Sequence, residues 1–497
     1  MWSAGSGRDG IFNNRGMSSV ESAHSNFYQV AGEVLRVRHV HFIGIGGYSM
    51  SGLGLLLHQQ GIRVTGSDMN RSSRTDRLER AGVVVYQGHR EANVGDADVV
   101  VYTTDVPTDN AERRWAETHG RQLWHRSDLL AYVLSGYRTL LVAGTHGKTT
   151  TSTMMGRILV EAGLDPTVLV GGEVEFFGGN VRQGEGQVAV AEADESDGTF
   201  LRYPVWVAVA TNVEPEHLEH YHGSFEQLKD AFFQFLRRVP ADGLAVLSAE
   251  SPELQALRGN LIAAGIPLVT YGTGESAEVR AVRIVPWGPG TRFQVETGGE
   301  TVAEVTLPIP GLHNLRNALA AMVACHHAGV PWAISASILG RFENAARRFQ
   351  RIFDDRRILV VDDYAHHPSE IMATLQAARQ VTEHRVLAVF QPQRYIRTRN
   401  LWDEFLHAFQ SSDEVFLTEI YAPPGDTPLA GVSGEGLAQA MRSVHPGPIH
   451  FVADFRRLPA MLFARVRPGD CVITMGAGNI YQVAYALSNL LAAEQSG

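Results

Sequence analysis

The sequence contains very few cysteines. Only Cys325 and Cys471 occur among 497 residues, and they lie far apart in the chain. They provide no disulfide framework and no closely spaced pair of the kind found in redox or zinc motifs. The cysteine content therefore predicts a protein of the reducing cytoplasm.

The sequence also lacks a basic excess and long apolar runs. It has 53 acidic and 43 basic residues, which gives a formal net charge of −10 at pH 7. Because non-specific nucleic-acid binding requires a basic surface, we expect no nucleic-acid partner. No apolar run approaches the ~18 residues of a membrane-spanning helix, so we also expect no membrane partner.

The first 36 residues have the composition of a disordered segment. They are rich in Ser, Gly, Asn and charged residues, and they lack the apolar stretch of a signal peptide. Residues 1–36 are therefore predicted to be a disordered tail. In the whole chain, 44% hydrophobic and 19% charged residues are typical of a globular enzyme, and the length suggests about three domains.

Short apolar runs alternate with helical patterns in three successive sets, which predicts an α/β fold with parallel sheets flanked by helices. The predicted domains are residues 37–138, 139–344 and 345–497. The region 279–305 alternates with turns and is predicted to form antiparallel strands. The other runs that mark predicted strands lie near residues 39–45, 63–65, 83–86, 99–102, 140–143, 188–191, 205–210, 358–361, 386–390, 415–417 and 472–475.

The most specific motif is Gly-Thr-His-Gly-Lys-Thr-Thr-Thr at residues 144–151. It lies between the apolar run 140–143 and a predicted helix at 149–159. Its glycines and the helix N-terminus present backbone N–H groups to an anion. Lys148 can reach the outer phosphates, and the Thr149 hydroxyl can bind Mg²⁺. Although two residues separate the glycines instead of four, the motif predicts a nucleoside triphosphate site.

A second glycine-rich turn, Gly-Ile-Gly-Gly-Tyr-Ser-Met-Ser-Gly at residues 44–52, follows the first predicted strand. Such a turn can hold a diphosphate at a helix N-terminus. Asp68 lies at about the distance at which a Rossmann dehydrogenase carries its ribose-binding acid. From these residues alone, NAD, FAD and a nucleotide sugar all remain possible ligands.

Acidic residues and a histidine follow two neighbouring predicted strands of the central domain. Glu192 comes directly after the run 188–191, where open α/β sheets bind ligands, and carboxylates suit Mg²⁺. Asp194, Glu195 and Asp197 either shape the loop or contact substrate. His217 follows the run 205–210 and either completes a metal site or is structural.

Taken together, the motifs resemble the Mur ligases of peptidoglycan synthesis from about residue 39 to the C-terminus. The resemblance implies a Rossmann-like N-terminal domain for a UDP-sugar, a central P-loop domain for ATP and a Rossmann-like C-terminal domain for an amino acid. Such motifs in this order are highly specific. Besides the segments above, they are Thr211-Asn212 ahead of His217, Pro-Gly-Leu-His-Asn at 310–314 with Asn317-Ala318, Asp-Asp-Tyr-Ala-His-His-Pro at 362–368, Gln-Pro-Gln-Arg-Tyr-Ile-Arg-Thr at 391–398 and Gly-Ala-Gly at 476–478.

The resemblance also implies roles for individual residues. Those implied to bind ATP are Gly144, Thr145, His146, Gly147, Lys148, Thr149, Thr150, His313, Asn314, Asn317, Arg348 and Asp363. Those implied to bind the UDP-sugar are Gly46, Gly47, Ser51, Asp68, Thr103 and Thr104. Those implied to bind the amino acid are Tyr364, Arg394 and Arg397. The implied metal ligands are Thr149, Glu192 and His217, and the implied catalytic residues are Lys148, Glu192 and His217.

The implied reaction joins L-alanine to the lactyl carboxylate of UDP-N-acetylmuramate, with ATP and Mg²⁺ as cofactors. ATP phosphorylates the carboxylate, the amine attacks the acyl phosphate, and Lys148 and Mg²⁺ stabilise the transferred charge. This step belongs to cytoplasmic peptidoglycan precursor synthesis, and so to cell-wall biogenesis, cell shape and cell division.

The resemblance leaves three alternative functions open, and the sequence departs from the family pattern at three places. The alternatives are a peptide-recycling ligase of the same family, a nicotinamide-dependent dehydrogenase and a non-catalytic nucleotide-binding regulator. The departures from the family pattern are Tyr48-Ser49 in the first turn, Gln393 in place of a usual histidine and Asn479 in place of a usual aspartate.

Overall fold

The computed structural model describes residues 27–30, 33–355, 357–423 and 425–496. Most of the predicted disordered tail, residues 1–26 and 31–32, lies outside the described residues. Within the tail, β1 (Phe27–Val30) and β2 (Glu33–Arg36) pair as antiparallel strands.

The N-terminal domain is a five-stranded parallel sheet in the order β5-β4-β3-β6-β7. Its strand order reverses beside β3, so the glycine turn after β3 lies at the topological switch point where such sheets bind ligands. Its elements are β3 (His39–Ile43), α1 (Tyr48–Gln59), β4 (Arg63–Asp68), α2 (Ser73–Arg80), β5 (Val84–Gln87), β6 (Val99–Tyr102), α3 (Ala111–Thr118), β7 (Gln122–His125) and α4 (Arg126–Leu134).

The central domain contains a ten-stranded mixed sheet in the order β10-β9-β11-β8-β12-β13-β14-β15-β16-β17. Strands β9 to β15 of this order run parallel, and both edges are antiparallel. The strands are β8 (Arg138–Ala143), β9 (Thr167–Val174), β10 (Gly179–Arg182), β11 (Val188–Glu192), β12 (Val207–Ala210), β13 (Leu244–Ser248), β14 (Leu268–Gly272), β15 (Val279–Trp287), β16 (Gly290–Thr297) and β17 (Glu300–Leu307). The helices are α5 (Lys148–Glu161), α6 (Phe225–Leu236), α7 (Pro252–Ala263), α8 (Leu312–His327) and α9 (Trp332–Leu339).

The C-terminal domain is a six-stranded sheet in the order β18-β19-β23-β20-β21-β22, parallel except for β18. Its strands are β18 (Gln350–Asp354), β19 (Leu359–Asp363), β20 (Val386–Phe390), β21 (Glu414–Leu417), β22 (Ile449–Phe451) and β23 (Cys471–Met475). Its helices are α10 (Pro368–Val381), α11 (Tyr395–Asn400), α12 (Trp402–His407), α13 (Gly434–Met441), α14 (Leu458–Phe463) and α15 (Tyr481–Ser496).

The apolar runs of the sequence become the buried central strands of these sheets. Leu140, Leu141 and Val142 of β8 are fully buried, because helices cover both faces of a parallel sheet. The α/β fold class and the antiparallel strands of 279–305 are therefore confirmed. No helix among the described residues has both the length and the apolar character required to cross a membrane.

A short linker joins the central and C-terminal domains. The Ala346 N–H donates to the Glu173 carbonyl of β9, 2.8 Å away, and the Arg347 carbonyl accepts from the Tyr364 N–H, 2.7 Å away. Arg347 and Phe349 have φ angles of 62° and 47°. Consecutive linker residues are thus attached to different domains.

Candidate active site

The phosphate loop connects β8 to α5 and requires both of its glycines. Gly144 has φ 141° and Gly147 has φ 84°. A Cβ atom on Gly147 would lie 2.7 Å from Asn317 Oδ1, and one on Gly144 would lie 2.0 Å from Thr211 Oγ1. Only glycine fits such contacts and such a left-handed backbone. The predicted strand, turn and helix are confirmed here.

Residues after the neighbouring strand β12 brace this loop. The Asn212 carbonyl accepts from the Thr145 N–H at 3.2 Å, and Asn212 Oδ1 accepts from the His146 N–H at 2.9 Å. Thr211 Oγ1 donates to the His146 carbonyl at 2.6 Å. The sequence analysis missed this role of Asn212. Its position at the carboxyl end of the strand beside β8 is the signal that could have revealed it.

Lys148 begins α5 and lies against an acidic loop. Its Nζ donates to Glu195 Oε2 at 2.9 Å, to Glu195 Oε1 at 3.0 Å and to the Gly144 carbonyl at 2.6 Å. Burial alone would lower the pKa of the Lys148 ammonium group. The charges of Glu195, Asp194 and Glu192 outweigh burial and raise it, so Lys148 is cationic at neutral pH.

The three predicted metal ligands lie on three different segments of the central domain. Thr149 is buried in the first turn of α5. Glu192 ends β11, and its Oε1 accepts from the Gly171 N–H at 2.5 Å and from Ser152 Oγ at 3.3 Å. His217 has φ 56° and is one-third exposed.

The Asp194 carboxylate interacts electrostatically with both Lys148 and His217. Burial raises the pKa of the Asp194 carboxyl, but Lys148 and more weakly His217 contribute to a net lowering. The assignment of Thr149, Glu192 and His217 to a metal remains a prediction.

A cleft of about 190 Å³ separates the phosphate loop from the C-terminal domain. The other predicted ATP residues, Gly144, Thr145, Lys148 and Thr149, lie in the loop and first helical turn beside it. The predicted ATP residues that line the cleft are His146, Gly147, Thr150, His313, Asn314, Asn317, Arg348 and Asp363. The polar lining residues that sequence analysis missed are Asn212, Glu214, Asn344, Ser369, Glu370 and Thr374.

Two titratable groups in this cleft have shifted pKa values. Burial, with the charge of Arg316, lowers the pKa of His313 to about 4, so its ring is neutral at neutral pH. Burial raises the pKa of Asp363 to about 6. The Asp363 carboxylate accepts from the Phe349 and Ala365 N–H groups, both at 2.7 Å. Asp363 therefore fixes the linker as well as lining the cleft.

His146 of the phosphate loop contacts the C-terminal domain directly. Its Nδ1 lies 3.1 Å from Glu370 Oε1 in the first turn of α10, and its Nε2 lies 3.3 Å from Glu214 Oε2. Burial alone would lower the pKa of His146, but Glu370 and Glu214 outweigh it and raise the pKa to about 10. The imidazolium therefore bridges carboxylates of two domains.

The predicted amino-acid residues lie farther along the same domain boundary. Arg397 donates to Gln393 Oε1 at 2.9 Å and to Glu216 Oε1 of the central domain at 2.8 Å. Arg394 is exposed and has φ 64°. The Tyr364 ring has the Arg348 guanidinium 5.2 Å from its centroid.

Glu216 is a partner of Arg397 that sequence analysis missed. Burial would raise the pKa of Glu216, but Arg397 foremost lowers it to about 2. The Arg397 guanidinium is thus already paired with a carboxylate.

A second cleft, of about 260 Å³, separates the N-terminal and central domains. Its walls include Tyr48 and Ser49 of the first glycine turn, Arg126 of α4, and Glu192 and Asp194. This cleft reaches from the first glycine turn to Glu192, which also acts electrostatically on Lys148.

The N-terminal and central domains meet closely beside this second cleft. Asn180 Nδ2 donates to the Tyr48 carbonyl at 2.8 Å. A Cβ atom on Gly52 would lie 2.4 Å from Val181 Cγ2. Glycine at position 52 therefore lets α1 approach β10.

The predicted UDP-sugar residues gather at one edge of the N-terminal sheet. Gly46 and Gly47 form the turn after β3, and Thr103 and Thr104 follow the neighbouring strand β6. Ser51 donates to the Tyr48 carbonyl at 3.0 Å.

Asp68 has a structural role in the same turn. Its Oδ2 accepts from the Gly46 N–H at 2.9 Å, and its Oδ1 accepts from the Asn70 N–H at 3.0 Å. Asp68 therefore shapes the glycine turn, instead of presenting two uncommitted oxygens to a ribose as in the dehydrogenase alternative.

Comparison with known proteins gives a consistent result along the chain. Three models match in succession: the Mur ligase family catalytic domain at residues 39–138, the Mur ligase middle domain at 142–325 and the Mur ligase glutamate ligase domain at 347–478. A UDP-N-acetylmuramate–L-alanine ligase of Symbiobacterium thermophilum is 51% identical, and the alignment covers 92% of this chain and 95% of that protein.

Solved structures agree with the sequence comparison. The UDP-N-acetylmuramate–alanine ligase of Thermotoga maritima superposes with a TM-score of 0.78 at 29% identity, covering 92% of this chain and 99% of that one. A murein peptide ligase of Psychrobacter arcticus has a TM-score of 0.65 at 26% identity, covering 91% and 99%. With all three domains matched and a relative 51% identical over nearly its whole length, the chain belongs to the Mur ligase family.

Proposed function

We propose that the chain is an ATP-dependent ligase that joins L-alanine to the lactyl carboxylate of UDP-N-acetylmuramate. The observation that carries this proposal is the presence of two clefts, one between the central and C-terminal domains and one between the N-terminal and central domains. One cleft is lined by the phosphate loop and α8, and the other extends from the first glycine turn to Glu192. A nucleotide and a nucleotide sugar can therefore bind in separate clefts, the first beside the phosphate loop and the second beside Glu192, whose charge acts on Lys148.

The first bond forms between the lactyl carboxylate and the γ-phosphorus of ATP, and ADP leaves. Lys148 supplies positive charge to the phosphoryl group in transfer. Arg126 lines the second cleft and suits the carboxylate, because a guanidinium can hold both carboxylate oxygens. In this arrangement the carboxylate is held in the cleft that Glu192 and Asp194 also line.

The second bond forms between the alanine nitrogen and the acyl carbon, and phosphate leaves while the amine loses a proton. Arg394 and Arg397 are the groups assigned to the amino-acid carboxylate, and Tyr364 is the third residue assigned to the amino acid. Because Arg397 is paired with Glu216, alanine would exchange one carboxylate partner of Arg397 for another. Enclosure by the C-terminal domain would protect the acyl phosphate from water.

The residues assigned to Mg²⁺ have suitable chemistry. Thr149 offers a hydroxyl and Glu192 a carboxylate, both oxygen donors of the kind that Mg²⁺ prefers, and His217 lies near Asp194. Bound Mg²⁺ would neutralise charge on the phosphates during transfer. Thr149 lies in the first turn of the helix after the phosphate loop, and Glu192 ends β11, the strand adjacent to β8.

The deciding experiment is phosphate release by the full-length protein with ATP, Mg²⁺ and UDP-N-acetylmuramate across a panel of amino acids. A tripeptide is added to the panel because a murein peptide ligase is among the structural neighbours. We expect L-alanine to give the highest kcat/KM and a product with the mass of the alanyl amide. Turnover with the tripeptide alone would favour the recycling activity. Release that is independent of the UDP-sugar would contradict the ligase assignment.

A further inference from the structure

Four polar side chains converge where the phosphate loop meets the N-terminus of α10. We call His146, Glu214, His367 and Ser369 the boundary cluster. The ligand atoms of His146, Glu214 and His367 all lie within 4.8 Å of one another, the one such group of three found among the described residues. Two of the three residues belong to the central domain, and His367 belongs to the C-terminal domain.

The distances between the ligand atoms of the boundary cluster are close to those between two ligands of one metal ion. His146 Nε2 lies 3.3 Å from Glu214 Oε2, and His367 Nδ1 lies 3.7 Å from the same oxygen. Ligands bound to Zn²⁺ at about 2.0–2.1 Å in a tetrahedron are about 3.4 Å apart. Ser369 Oγ lies 2.8–3.0 Å from all three ligand atoms and marks the point where they converge.

His146 also has the outer partner that metal-bound histidines have. With Nε2 facing the cluster, its Nδ1 lies 3.1 Å from Glu370 Oε1. A carboxylate on the second ring nitrogen fixes the tautomer and raises the basicity of the metal-binding nitrogen. Glu370 therefore orients His146 for a ligand role as well as for an ion pair.

His367 is the buried member of the boundary cluster from the C-terminal domain. The residue is only 6% exposed, and its Nε2 has no hydrogen-bond partner among the described residues. Its Nδ1 lies 2.8 Å from Ser369 Oγ and so faces the centre of the cluster. Glu214 is one-third exposed, which leaves a path for an ion to enter.

We propose that His146, Glu214 and His367 bind a transition-metal dication of the Zn²⁺ type at the domain boundary, separately from the residues assigned to Mg²⁺. Two imidazoles and one carboxylate are a typical zinc donor set, whereas Mg²⁺ prefers oxygen ligands alone. The ion displaces the proton on His146, and the carboxylates of Glu214 and Glu370 already balance a positive charge there. Because its ligands come from two domains, the ion joins the phosphate loop to α10.

This site has a consequence for nucleotide binding, which rests on the proposed function. His146 and Glu214 also line the ATP cleft. An ion that ties them to the C-terminal domain therefore obstructs entry of ATP. Micromolar Zn²⁺ should then raise the KM for ATP, and added Mg²⁺ should not restore it.

Titration of the nucleotide-free full-length protein with ZnCl₂ tests the site without using activity. We expect one tightly bound ion per chain by calorimetry. His367→Asn and His146→Gln should each weaken binding at least tenfold, while His217→Asn and the exposed-site control His222→Asn should not. Asparagine at position 367 can still cap α10, so the fold is retained. Thermal melting of each variant checks this directly.

X-ray absorption of the wild-type zinc complex provides a measurement that needs no variant. Two imidazole ligands per ion are expected. The proposal is overturned if wild-type protein binds no zinc below millimolar concentration, or if His367→Asn and His146→Gln bind it as tightly as wild type. Loss of binding in His217→Asn alone would also overturn it, because the ion would then occupy the residues assigned to Mg²⁺. These binding outcomes are independent of whether the ligase assay succeeds.

Discussion

Lys148 Nζ lies 2.9 Å from Glu195 Oε2, in an ion pair whose two side chains are 16% and 3% exposed. Glu195 thus occupies the partner position that a phosphate oxygen requires in the proposed reaction. Lys148 is one of only two lysines in the chain, the other being Lys229, whereas arginine supplies the remaining 41 of the 43 basic residues. The phosphate loop therefore uses a compact ammonium in a protein that elsewhere uses guanidinium.

Glu195→Gln should destabilise the nucleotide-free protein more than the ATP-bound protein. Removing one member of a buried pair leaves an uncompensated charge and costs about 3–5 kcal/mol. At about 2–4 °C per kcal/mol for a domain of this size, the apparent Tm should fall by roughly 6–20 °C. ATP should restore most of the difference, because its phosphates replace the lost carboxylate. Equal losses with and without ATP would contradict this role, and the exposed Glu219→Gln serves as control.

Lys148→Ala should lower kcat by roughly 10²–10³, the usual effect of losing one preorganised stabiliser of the transition state. Lys229→Ala is the matched control, since Lys229 pairs with Glu226 on α6. Lysine-directed acylation followed by peptide mass spectrometry should modify Lys229 regardless of nucleotide. It should leave Lys148 largely unmodified, because this amine is protonated and paired with Glu195. Near-wild-type turnover in a folded Lys148→Ala protein would refute the assignment.

Glu192→Ala and His217→Ala should each raise the Mg²⁺ concentration needed for half-maximal activity. Even outer-shell partners of a metal contribute about 10–100-fold to affinity, so loss of a ligand should cost at least as much. Activity measured against Mg²⁺ at fixed ATP gives the shift. His220→Ala is the control because His220 is exposed on the same segment. If His217→Ala needs no more Mg²⁺ than wild type, His217 is a structural residue and not a metal ligand.

Arg126→Ala should raise the KM for UDP-N-acetylmuramate more than the KM for ATP. A hydrogen bond to a charged group contributes about 1.5–3 kcal/mol, or roughly 10–150-fold. We expect this because Arg126 and Glu192 line the same cleft. The exposed Arg114→Ala should change neither constant. Equal effects on both substrates would indicate a general disturbance of the domain boundary instead.

L-Alanine should be preferred over glycine and L-serine, and Arg397→Ala should mainly raise the KM for the amino acid. One methyl group in an apolar pocket is worth about 1–3 kcal/mol, so glycine should react slowly instead of being excluded. Gln393 accepts from Arg397 and replaces a histidine that the family usually carries. Competition assays on wild type, Gln393→His and the control Arg399→Ala measure this. Wild-type preference for serine would show that Gln393 has changed the specificity.

The stabilising effect of His146 should decline as the pH rises. Its pKa is about 10 in the folded protein against an ordinary value of 6.5, so its contribution is complete below about pH 6.5 and is lost as the pH rises through 10. Denaturant unfolding from pH 6.5 to 10 should show a stability gap between wild type and His146→Asn that narrows with pH. A gap that is constant across this range would contradict the ion pair with Glu370 and Glu214.

The sequence predicted features that depend on local pattern, and it missed those that depend on how domains meet. The strand before Gly144, the helix from Lys148 and the buried run in β20 are confirmed because apolar periodicity and glycine placement determine them. Strand β18, with the sequence Gln-Arg-Ile-Phe-Asp, was missed because a polar edge strand lacks a continuous apolar run.

The same distinction applies to the candidate site. The cleft residues His313 and Asn317 were predicted because they follow a recognisable motif. Glu216 and Glu370 were not, because each gains its role from an arginine or histidine 181 or 224 residues away. No spacing rule along one chain reports such a contact.

The linker between the second and third domains restricts how they can move. Ala346 is hydrogen-bonded to β9 and Arg347 to Tyr364, so only the peptide between these two residues separates an attachment to one domain from an attachment to the other. Arg347 already has a positive φ there, and its guanidinium donates to Asp362 at 3.0 Å and to the Gly476 carbonyl at 2.5 Å. Arg347 is therefore fixed within the third domain, directly after a residue that is fixed to the central sheet. The two domains are thus connected with no slack in the chain between them.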